Sequence, residues 1–290
     1  MKRPAPSVRY SRRMKSATLL ASLLILPLHG DVQPPRAPAY ELVWSDEFNK
    51  DGPPDPGVWR FEHGFTRNGE LQWYQAGNAI CDGGALVIEA RREKVANPGF
   101  GKGGRSWKSR RKFAQYTSAS LVSKPPFQWT YGRFEIRARF RTKPGLWPAI
   151  WTTGNGRWPH GGEIDIMEYY DHSILANVAW AGRNGKAEWD TGKHPMKRFP
   201  DPGWDKKFHL WVMEWTPESI DIFLDGELLN TTLLKDTANK DGPARSPFVG
   251  APQSLRLNLA IGGTNGGDPS RTPFPQRYEI DYVRVYQRNP

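Results

Sequence analysis

The sequence is short of cysteine and of helical patterning. Its 290 residues include one cysteine, Cys81, so no disulfide can form within the chain. Such a chain depends on a large hydrophobic core, and Cys81 is expected to be a small buried side chain because no Cys-His arrangement is apparent. Few stretches keep the 3.6-residue period of an amphipathic helix, and proline or glycine interrupts most of them. These shortages exclude a disulfide-stapled scaffold and argue against a helical fold.

The N-terminus lacks acidic residues and any apolar run long enough to span a bilayer. The first thirty residues carry six Lys and Arg and no Asp or Glu. The apolar run from Ala17 to Leu28 is shorter than the roughly 20 residues of a transmembrane helix. This order predicts an export signal over residues 1–30, then a Pro-rich segment over 31–40, and a secreted or periplasmic protein free of the membrane once the signal is removed. The alternative is a cytosolic protein with a disordered basic tail.

Positive charge is concentrated in two places. The formal net charge is +11, but outside the first thirty residues 35 basic residues face 30 acidic ones. Nine of these 35 lie between Arg91 and Lys112, with one Glu among them. A nucleic-acid-binding protein would spread its basic residues over a whole face, so no nucleic-acid partner is expected. The loop over 91–115 is interpreted either as a mobile solvated excursion or as a functional loop that recognises sulfate.

Strand and turn residues dominate the rest of the chain. Thirteen Trp, thirteen Phe and ten Tyr accompany 29 Gly and 26 Pro. Several segments alternate with the period of a half-buried strand: 85–90, 132–140, 210–215, 219–224, 255–259 and 278–286. Asp225-Gly226 between two of these segments is typical of a hairpin. Many short strands without helical crossovers predict an all-β sandwich of two antiparallel sheets, in one domain over residues 41–288. The protein is expected to be a monomer.

Three acids lie close together in Gly-Glu-Ile-Asp-Ile-Met-Glu, residues 162–168. Residues two apart on a strand share a face, so Glu163 and Asp165 point together while Ile164 and Ile166 point to the core. Glu168, five residues from Glu163, falls on the wrong face of a regular strand. One extra residue near Ile166 or Met167, a β-bulge, would return it to the acidic face.

Three carboxylates on one face predict a chemical role. Like charges at this spacing raise at least one pKa, which suits a group that must hold a proton near neutral pH. Retaining glycoside hydrolysis uses an ionised nucleophile and a protonated acid whose carboxyl groups lie about 5–5.5 Å apart. The alternatives are a solvated acidic strand face and a calcium site made of oxygen ligands.

Aromatic residues surround the acids. Trp147, Trp151 and Trp158 flank them, and aromatic planes suit the apolar faces of sugar rings, which favours a cleft for a polysaccharide. For Trp151, Trp211 and Trp215, packing in the core is expected instead.

With these residues assembled, the chain resembles family 16 of the glycoside hydrolases, the laminarinase and agarase relatives, from Leu42 to Tyr286. The motifs that carry the resemblance are Trp-Ser-Asp-Glu-Phe (44–48), Glu-Leu-Gln-Trp-Tyr (70–74), Tyr-Thr-Ser-Ala-Ser (116–120), Tyr-Gly-Arg-Phe-Glu (131–135), Gly-Gly-Glu-Ile-Asp-Ile-Met-Glu (161–168), Glu-Trp-Thr-Pro (214–217) and Asp-Tyr-Val-Arg-Val-Tyr (281–286). The resemblance implies a β-jelly-roll with a concave cleft and mid-chain hydrolysis with retention.

By position in these motifs, Glu163 matches the nucleophile, Glu168 the general acid/base, and Asp165 the residue that tunes the nucleophile. No cofactor is implied for catalysis. The resemblance also implies a structural calcium ion on the convex face, at Glu47, Gly84 and Asp281. The positions that match the lining of the cleft are Asn78, Arg133, Trp147 and Trp158.

The substrate pattern departs from that of the laminarinases at two places. Residues 177–180 read Asn-Val-Ala-Trp where laminarinases carry a His, and Gly-Gly-Thr-Asn-Gly (262–266) lacks a Trp common in that loop. Trp180 is a candidate to stack on a sugar in place of the missing His. The predicted substrate is β-1,3-glucan or mixed-linkage glucan. The alternatives are an algal galactan such as agar, porphyran or carrageenan, transglycosylation, and a non-catalytic carbohydrate-binding jelly-roll.

Overall fold

The computed structural model describes residues 40–102, 104–242 and 244–288. The predicted export signal, and all of the predicted Pro-rich segment except Tyr40, lie outside the described residues. Within the described part of the chain, no helix is both long enough and apolar enough to cross a membrane.

Strands account for most of the regular structure. They are β1 (Tyr40–Asp46), β2 (Trp59–Phe61), β3 (Gln72–Tyr74), β4 (Ala79–Asp82), β5 (Ala85–Ala90), β6 (Val95–Ala96), β7 (Phe113–Ala114), β8 (Tyr116–Ser118), β9 (Ser120–Ser123), β10 (Gly132–Phe140), β11 (Leu146–Gly154), β12 (Glu163–Tyr170), β13 (Ser173–Ala181), β14 (Ala187–Pro195), β15 (His209–Trp215), β16 (Ser219–Leu224), β17 (Glu227–Leu233), β18 (Gln253–Ile261) and β19 (Gln276–Arg288). The helical elements are single turns: α1 (Trp107–Arg110), α2 (Gly263–Gly266) and 3₁₀ turns at Ala76–Asn78, Arg183–Gly185, Met196–Arg198, Trp204–Lys206 and Leu234–Asp236.

Two large antiparallel sheets face each other. One has seven strands in the order β14-β13-β12-β11-β18-β9-β2. The other has eight, in the order β17-β16-β15-β10-β19-β5-β4, with β1 paired to β19. The pairs β3–β8 and β6–β7 form two small sheets at the side. This is the predicted all-β jelly-roll sandwich, and the strand that carries the three acids, β12, lies in the interior of the seven-stranded sheet.

Strict alternation along β10 shows how the sequence builds the sandwich. Phe134 and Ile136, with the other even-numbered residues, are buried between the sheets. The odd-numbered residues face outward, where Arg137 and Arg139 form ion pairs with Asp281 and Glu279 of β19. The period of two therefore creates one apolar face and one charged face on the same strand. Surface pairs of this kind contribute about 0–1 kcal/mol each, so the apolar face supplies most of the stability.

Large aromatic side chains fill the space between the sheets. Trp211 and Trp215 are 0% and 1% exposed, which confirms the predicted core packing of both. The indole N–H of Trp215 donates to the carbonyl of Phe248 at 3.1 Å, which satisfies its one polar atom. Cys81 is also buried in this core, as predicted, and burial raises the pKa of its thiol to about 11. A thiol in that state is not a nucleophile near neutral pH.

The hairpin between β16 and β17 was visible in the sequence. Asp225 and Gly226 have φ angles of 49° and 85°, and the two strands that they join pair antiparallel. Positive φ at both central residues matches the right-handed twist of the strands, which explains the preference for Asp-Gly at this position.

Candidate active site

A β-bulge in β12 brings the three acids to one face. Toward β13, β12 advances three residues from Asp165 to Glu168 while its partner strand advances two. Toward β11, the pairing passes from Asp165 directly to Met167, which leaves Ile166 as the extra residue. The predicted bulge is thereby confirmed. It lets both Ile166 and Met167 enter the core while Glu163, Asp165 and Glu168 all line the same cleft.

Glycine at position 162 is required for the approach to this strand. Gly162 has a φ of +74°, and a Cβ there would lie 2.5 Å from Cε1 of the buried Phe248. A side chain would therefore be strained and would collide with the core. The chain can enter β12 in this way only through glycine, and Glu163 is the first residue after it.

An indole N–H donates to each of the two outer carboxylates. Trp158 Nε1 lies 2.9 Å from Oε2 of Glu163, and Trp147 Nε1 lies 2.7 Å from Oε1 of Glu168. Hydrogen bonds of this kind hold a carboxylate in one orientation and stabilise its charged form. Both glutamates are therefore fixed in position before a substrate binds.

Asp165 lies between the two glutamates and is 2% exposed. Its carboxyl group hydrogen-bonds to those of both Glu163 and Glu168. Asn177 Nδ2 donates to Oδ2 of Asp165 at 3.3 Å and to Oε2 of Glu168 at 3.2 Å. Two carboxyl groups can hydrogen-bond only if one of them is protonated, so the cluster retains a proton at neutral pH.

Burial and mutual repulsion raise the pKa values of the cluster. Loss of hydration raises the pKa of Glu163 to about 7 and that of Glu168 to about 7, and raises the pKa of Asp165 well above its ordinary value. The neighbouring charges act differently on the two glutamates. The positive charges of Arg67 and Arg256 lower the pKa of Glu163, whereas the negative charge of Glu163 raises the pKa of Glu168. The arrangement favours an ionised Glu163 and a protonated Glu168.

The acids form the floor of a cleft of about 870 Å³ on the outer face of the seven-stranded sheet. Trp158 and Trp189 stand at its edge with 50% and 46% of their surfaces exposed, and their ring centroids are 6.4 Å apart. Trp147 packs against Tyr170 with a centroid distance of 5.4 Å. The polar side chains of the lining, besides the three acids, are Glu62, Arg67, Asn68, Glu70, Thr153, Asn177, Thr191, Arg256, Asn258 and Asn265. Aromatic planes with convergent polar groups are what a sugar chain requires.

Of the five predicted cleft residues, Trp147 and Trp158 line the cleft. The other three lie elsewhere, and these predictions are corrected. Asn78 is buried and its Nδ2 donates to Thr117 Oγ1 at 3.0 Å. Arg133 points away from the core on the eight-stranded sheet and forms an ion pair with Glu214. Trp180 packs in the core between the sheets, because an odd offset of three residues from Asn177 turns it to the opposite face.

Trp151 also differs from its prediction, which was core packing. It lines the cleft, and its indole N–H donates to Asn258 Oδ1 at 2.6 Å. The guanidinium carbons of Arg67 and Arg256 lie 5.0 and 4.9 Å from the centroid of its ring. Sequence reasoning did not find either arginine, nor Glu62, which forms ion pairs with both.

The residues predicted for calcium are engaged in other interactions. Both carboxylate oxygens of Glu47 accept hydrogen bonds from Arg284 at 2.8 Å, and Oδ2 of Asp281 accepts one from Arg137 at 2.5 Å. Gly84 offers only its backbone oxygen. No group of three or more His, Cys, Asp or Glu that could hold a metal ion occurs among the described residues. The side chains as arranged do not fit a metal ion, and the calcium site stays a prediction without support from this geometry.

The basic loop is anchored beside the cleft. Arg111 donates to the backbone carbonyls of Gly69 and Glu70, and its guanidinium lies 4.8 Å from the ring centroid of Trp107. The described residues of 91–115 do not contribute to the lining of the cleft. This geometry favours a structural role for Arg111 in supporting the 68–70 edge of the cleft.

A sandwich with adjacent, largely desolvated and partly protonated carboxyl groups in an aromatic-edged cleft has the features of a glycosidase. The comparison with known proteins agrees. The family model described as glycosyl hydrolases family 16 matches residues 75–284, and the chain belongs to this family. The protein is an endo-acting glycoside hydrolase.

Three relatives illustrate the similarity. A β-glucanase of Rhodothermus marinus is 37% identical over an alignment of 308 positions, gaps included. The alignment covers 97% of this chain and 98% of that protein. The catalytic domain of an endo-1,3-β-glucanase (laminarinase) from Thermotoga petrophila superposes with a TM-score of 0.72 at 32% identity, over 88% of this chain and all of that one. A structure from work on endo-acting O-glycanases, with which human gut microbes initiate mucin breakdown, gives a TM-score of 0.77 at 33% identity, over 86% of this chain and 91% of the other.

Proposed function

We propose that the protein hydrolyses internal bonds of β-1,3-glucan, or of mixed-linkage glucan, with retention of anomeric configuration. The observation that carries this proposal is the linked cluster in which Asp165 joins Glu163 to Glu168, with one indole donor on each glutamate. The named β-glucanase and laminarinase relatives support the choice of glucan.

In the first step, the Glu163 carboxylate attacks the anomeric carbon. The bond between that carbon and the glycosidic oxygen breaks, and the leaving oxygen takes the proton of Glu168. The reducing-end fragment departs, and the remaining sugar is held as an ester of Glu163. The arginines that favour ionised Glu163 and the negative charge that favours protonated Glu168 match these two roles.

In the second step, a water molecule gives a proton to Glu168, which is now ionised, and its oxygen attacks the anomeric carbon. The ester bond to Glu163 breaks and its carboxylate is restored, so every proton is returned. Asp165 hydrogen-bonds to Glu163 and so stabilises the charge that the nucleophile regains. Asn177 holds Asp165 and Glu168 together through both steps.

We further propose that the protein acts outside the cytoplasm as a monomer. The basic leader and short apolar run in the first thirty residues support export. A polysaccharide is too large to enter a cell intact, which agrees with an exported enzyme.

A substrate panel tests the proposed specificity. We expect the purified protein to release oligosaccharides from laminarin and mixed-linkage glucan, measured as new reducing ends and resolved by chromatography. Agarose, porphyran and carrageenan belong in the same panel as the algal galactans of the second candidate, because β13 and the 262–266 loop lack the His and Trp of the laminarinases. Mucin O-glycans are included because a structure from work on endo-acting O-glycanases is similar to this one. Products from these alone would reject glucan as the substrate. No product from any polysaccharide would favour the non-catalytic alternative.

A further inference from the structure

Two arginines share one carboxylate beside the proposed nucleophile. Arg67 and Arg256 lie against the ring of Trp151, and both form ion pairs with Glu62. Ser120 Oγ donates to Glu62 Oε2 at 2.7 Å and fixes the shared carboxylate. The side chains of the three charged residues are 16–23% exposed, so solvent screens their charges only in part.

The charges of this group do not cancel. The two guanidiniums lower the pKa of Glu62 to about 2, so it carries a full negative charge at any working pH. Burial raises the pKa of the neighbouring Glu70, which favours its neutral form, and Gln72 Nε2 donates to its Oε2 at 2.6 Å. Within this ion-paired group two guanidiniums share the one carboxylate of Glu62, which leaves an excess of positive charge toward the cleft.

The pairing of the strands directs this excess charge at Glu163. Thr153 of β11 is the cross-strand partner of Glu163 in β12. Arg256 Nε donates to Oγ1 of the same Thr153 at 2.9 Å, and Arg256 is itself paired across β11–β18 with Trp151. Arg67, Arg256, Thr153 and Glu163 all line the one cleft.

We propose that Arg67 and Arg256 are positioning residues of the reaction, whose uncompensated charge holds Glu163 in its ionised, nucleophilic form. This inference rests on the proposed role of Glu163. It explains how one of two half-buried glutamates, each with an indole donor, becomes the nucleophile while the other keeps its proton. The ring of Trp151 packs against both guanidiniums and holds them in place. Its strand, β11, lies between β18, which carries Arg256, and β12, which carries the acids.

The other groups around Glu163 do not supply the missing charge. The charged and titratable groups that line the described cleft with it are Asp165, Glu168 and Tyr170 on its own strand, Arg256 on β18, and Glu62, Arg67 and Glu70 on the segment before β3. Burial raises the pKa of Tyr170, so this phenol is neutral near neutral pH and adds no charge. Strands β13 and β14 contribute the uncharged Asn177, Trp189 and Thr191. The two arginines are thus the cations of this set.

The pH dependence of kcat/KM on the preferred polysaccharide tests the proposal. The acid limb of this profile reports the ionisation that the free enzyme requires, which is that of Glu163. In Arg256→Met the lost positive charge raises the pKa of Glu163, so a smaller fraction is ionised at a given acidic pH. We expect the acid limb to move to higher pH by about 0.5–1 unit, with about a 3- to 10-fold loss of activity below it. Arg67→Met carries the same prediction, should Arg256→Met fail to fold.

Matched variants separate charge from packing. Glu62→Gln removes the compensating negative charge, so its acid limb should move to lower pH, opposite to that of Arg256→Met. Arg256→Lys keeps the charge and should keep the wild-type limb. Arg133→Met removes an arginine that also pairs with carboxylates, but on the other sheet, and should leave the profile unchanged. A limb that stays in place in Arg256→Met, or that moves the same way in Glu62→Gln, would overturn the inference. An inactive wild type would instead reject the proposed function itself.

Discussion

Glu163→Gln is expected to lower kcat on the preferred polysaccharide by about 10⁴- to 10⁶-fold, the loss typical when a covalent nucleophile is removed. The amide has nearly the same shape as the carboxylate and its oxygen can still accept the hydrogen bond from Trp158 Nε1. It cannot form the ester with the anomeric carbon. The measurement is the rate of release of reducing ends, with circular dichroism to show that the variant is folded.

The control for this variant is Glu218→Gln, the same substitution on an exposed glutamate in the turn before β16. It should retain the wild-type rate. If the rate of Glu163→Gln stayed within about tenfold of the wild type, Glu163 would not be the nucleophile, because general acid–base assistance alone contributes about 10²- to 10⁴-fold.

Glu168→Gln should lower kcat on the polysaccharide by about 10²- to 10⁴-fold, the contribution of a general acid. The kinetics of this variant should differ from those of Glu163→Gln on a substrate whose leaving group departs without protonation. A dinitrophenyl glycoside of the same sugar needs no protonation, so the first turnover should remain fast and the ester on Glu163 should accumulate. Azide, which needs no general base, should then speed turnover and give a glycosyl azide of β configuration.

Two outcomes would contradict the assigned role of Glu168. One is an equal loss on activated and natural substrates, which would mean that the residue does not act as the acid. The other is an azide product of α configuration, which would mean a single displacement.

The acidic strand was predictable because its geometry follows from periodicity alone. Glu163 and Asp165 are two residues apart and point to the same face of a regular strand, whereas Glu168 would point to the other face. Only an inserted residue brings all three to one face. The structure places that residue at Ile166. Local pattern suffices here because all three groups lie on one strand.

The same rule would have placed two tryptophans that were predicted incorrectly. Trp151 is four residues from Trp147, so the two share a face of β11 and both line the cleft. Trp180 is three residues from Asn177, so it must face the core when Asn177 faces the acids. In each case strand parity decides against the interpretation drawn from residue type.

The alternation of side chains along a strand does not show which of the two sheets carries the cleft. Arg133 lies on a polar strand face, as its alternation indicates, but that face belongs to the eight-stranded sheet. Nor does local pattern connect distant segments. Glu62 and Arg67 meet Arg256 because β2 pairs with β9, which in turn pairs with β18, the strand that carries Arg256. That arrangement depends on the global topology, which pairwise spacing in the sequence does not contain.

Trapping the covalent intermediate tests the central claim most directly, namely that Glu163 attacks the anomeric carbon within this acid cluster. A 2-deoxy-2-fluoro glycosyl fluoride of the preferred sugar slows both steps by destabilising the oxocarbenium-like transition states, while fluoride leaves readily. After proteolysis, mass spectrometry should find one added glycosyl group, on the peptide that contains residues 163–168, and fragmentation should place it on Glu163. A label on Glu168 or Asp165, or an active enzyme that forms no adduct and releases a first product of inverted configuration, would contradict the account.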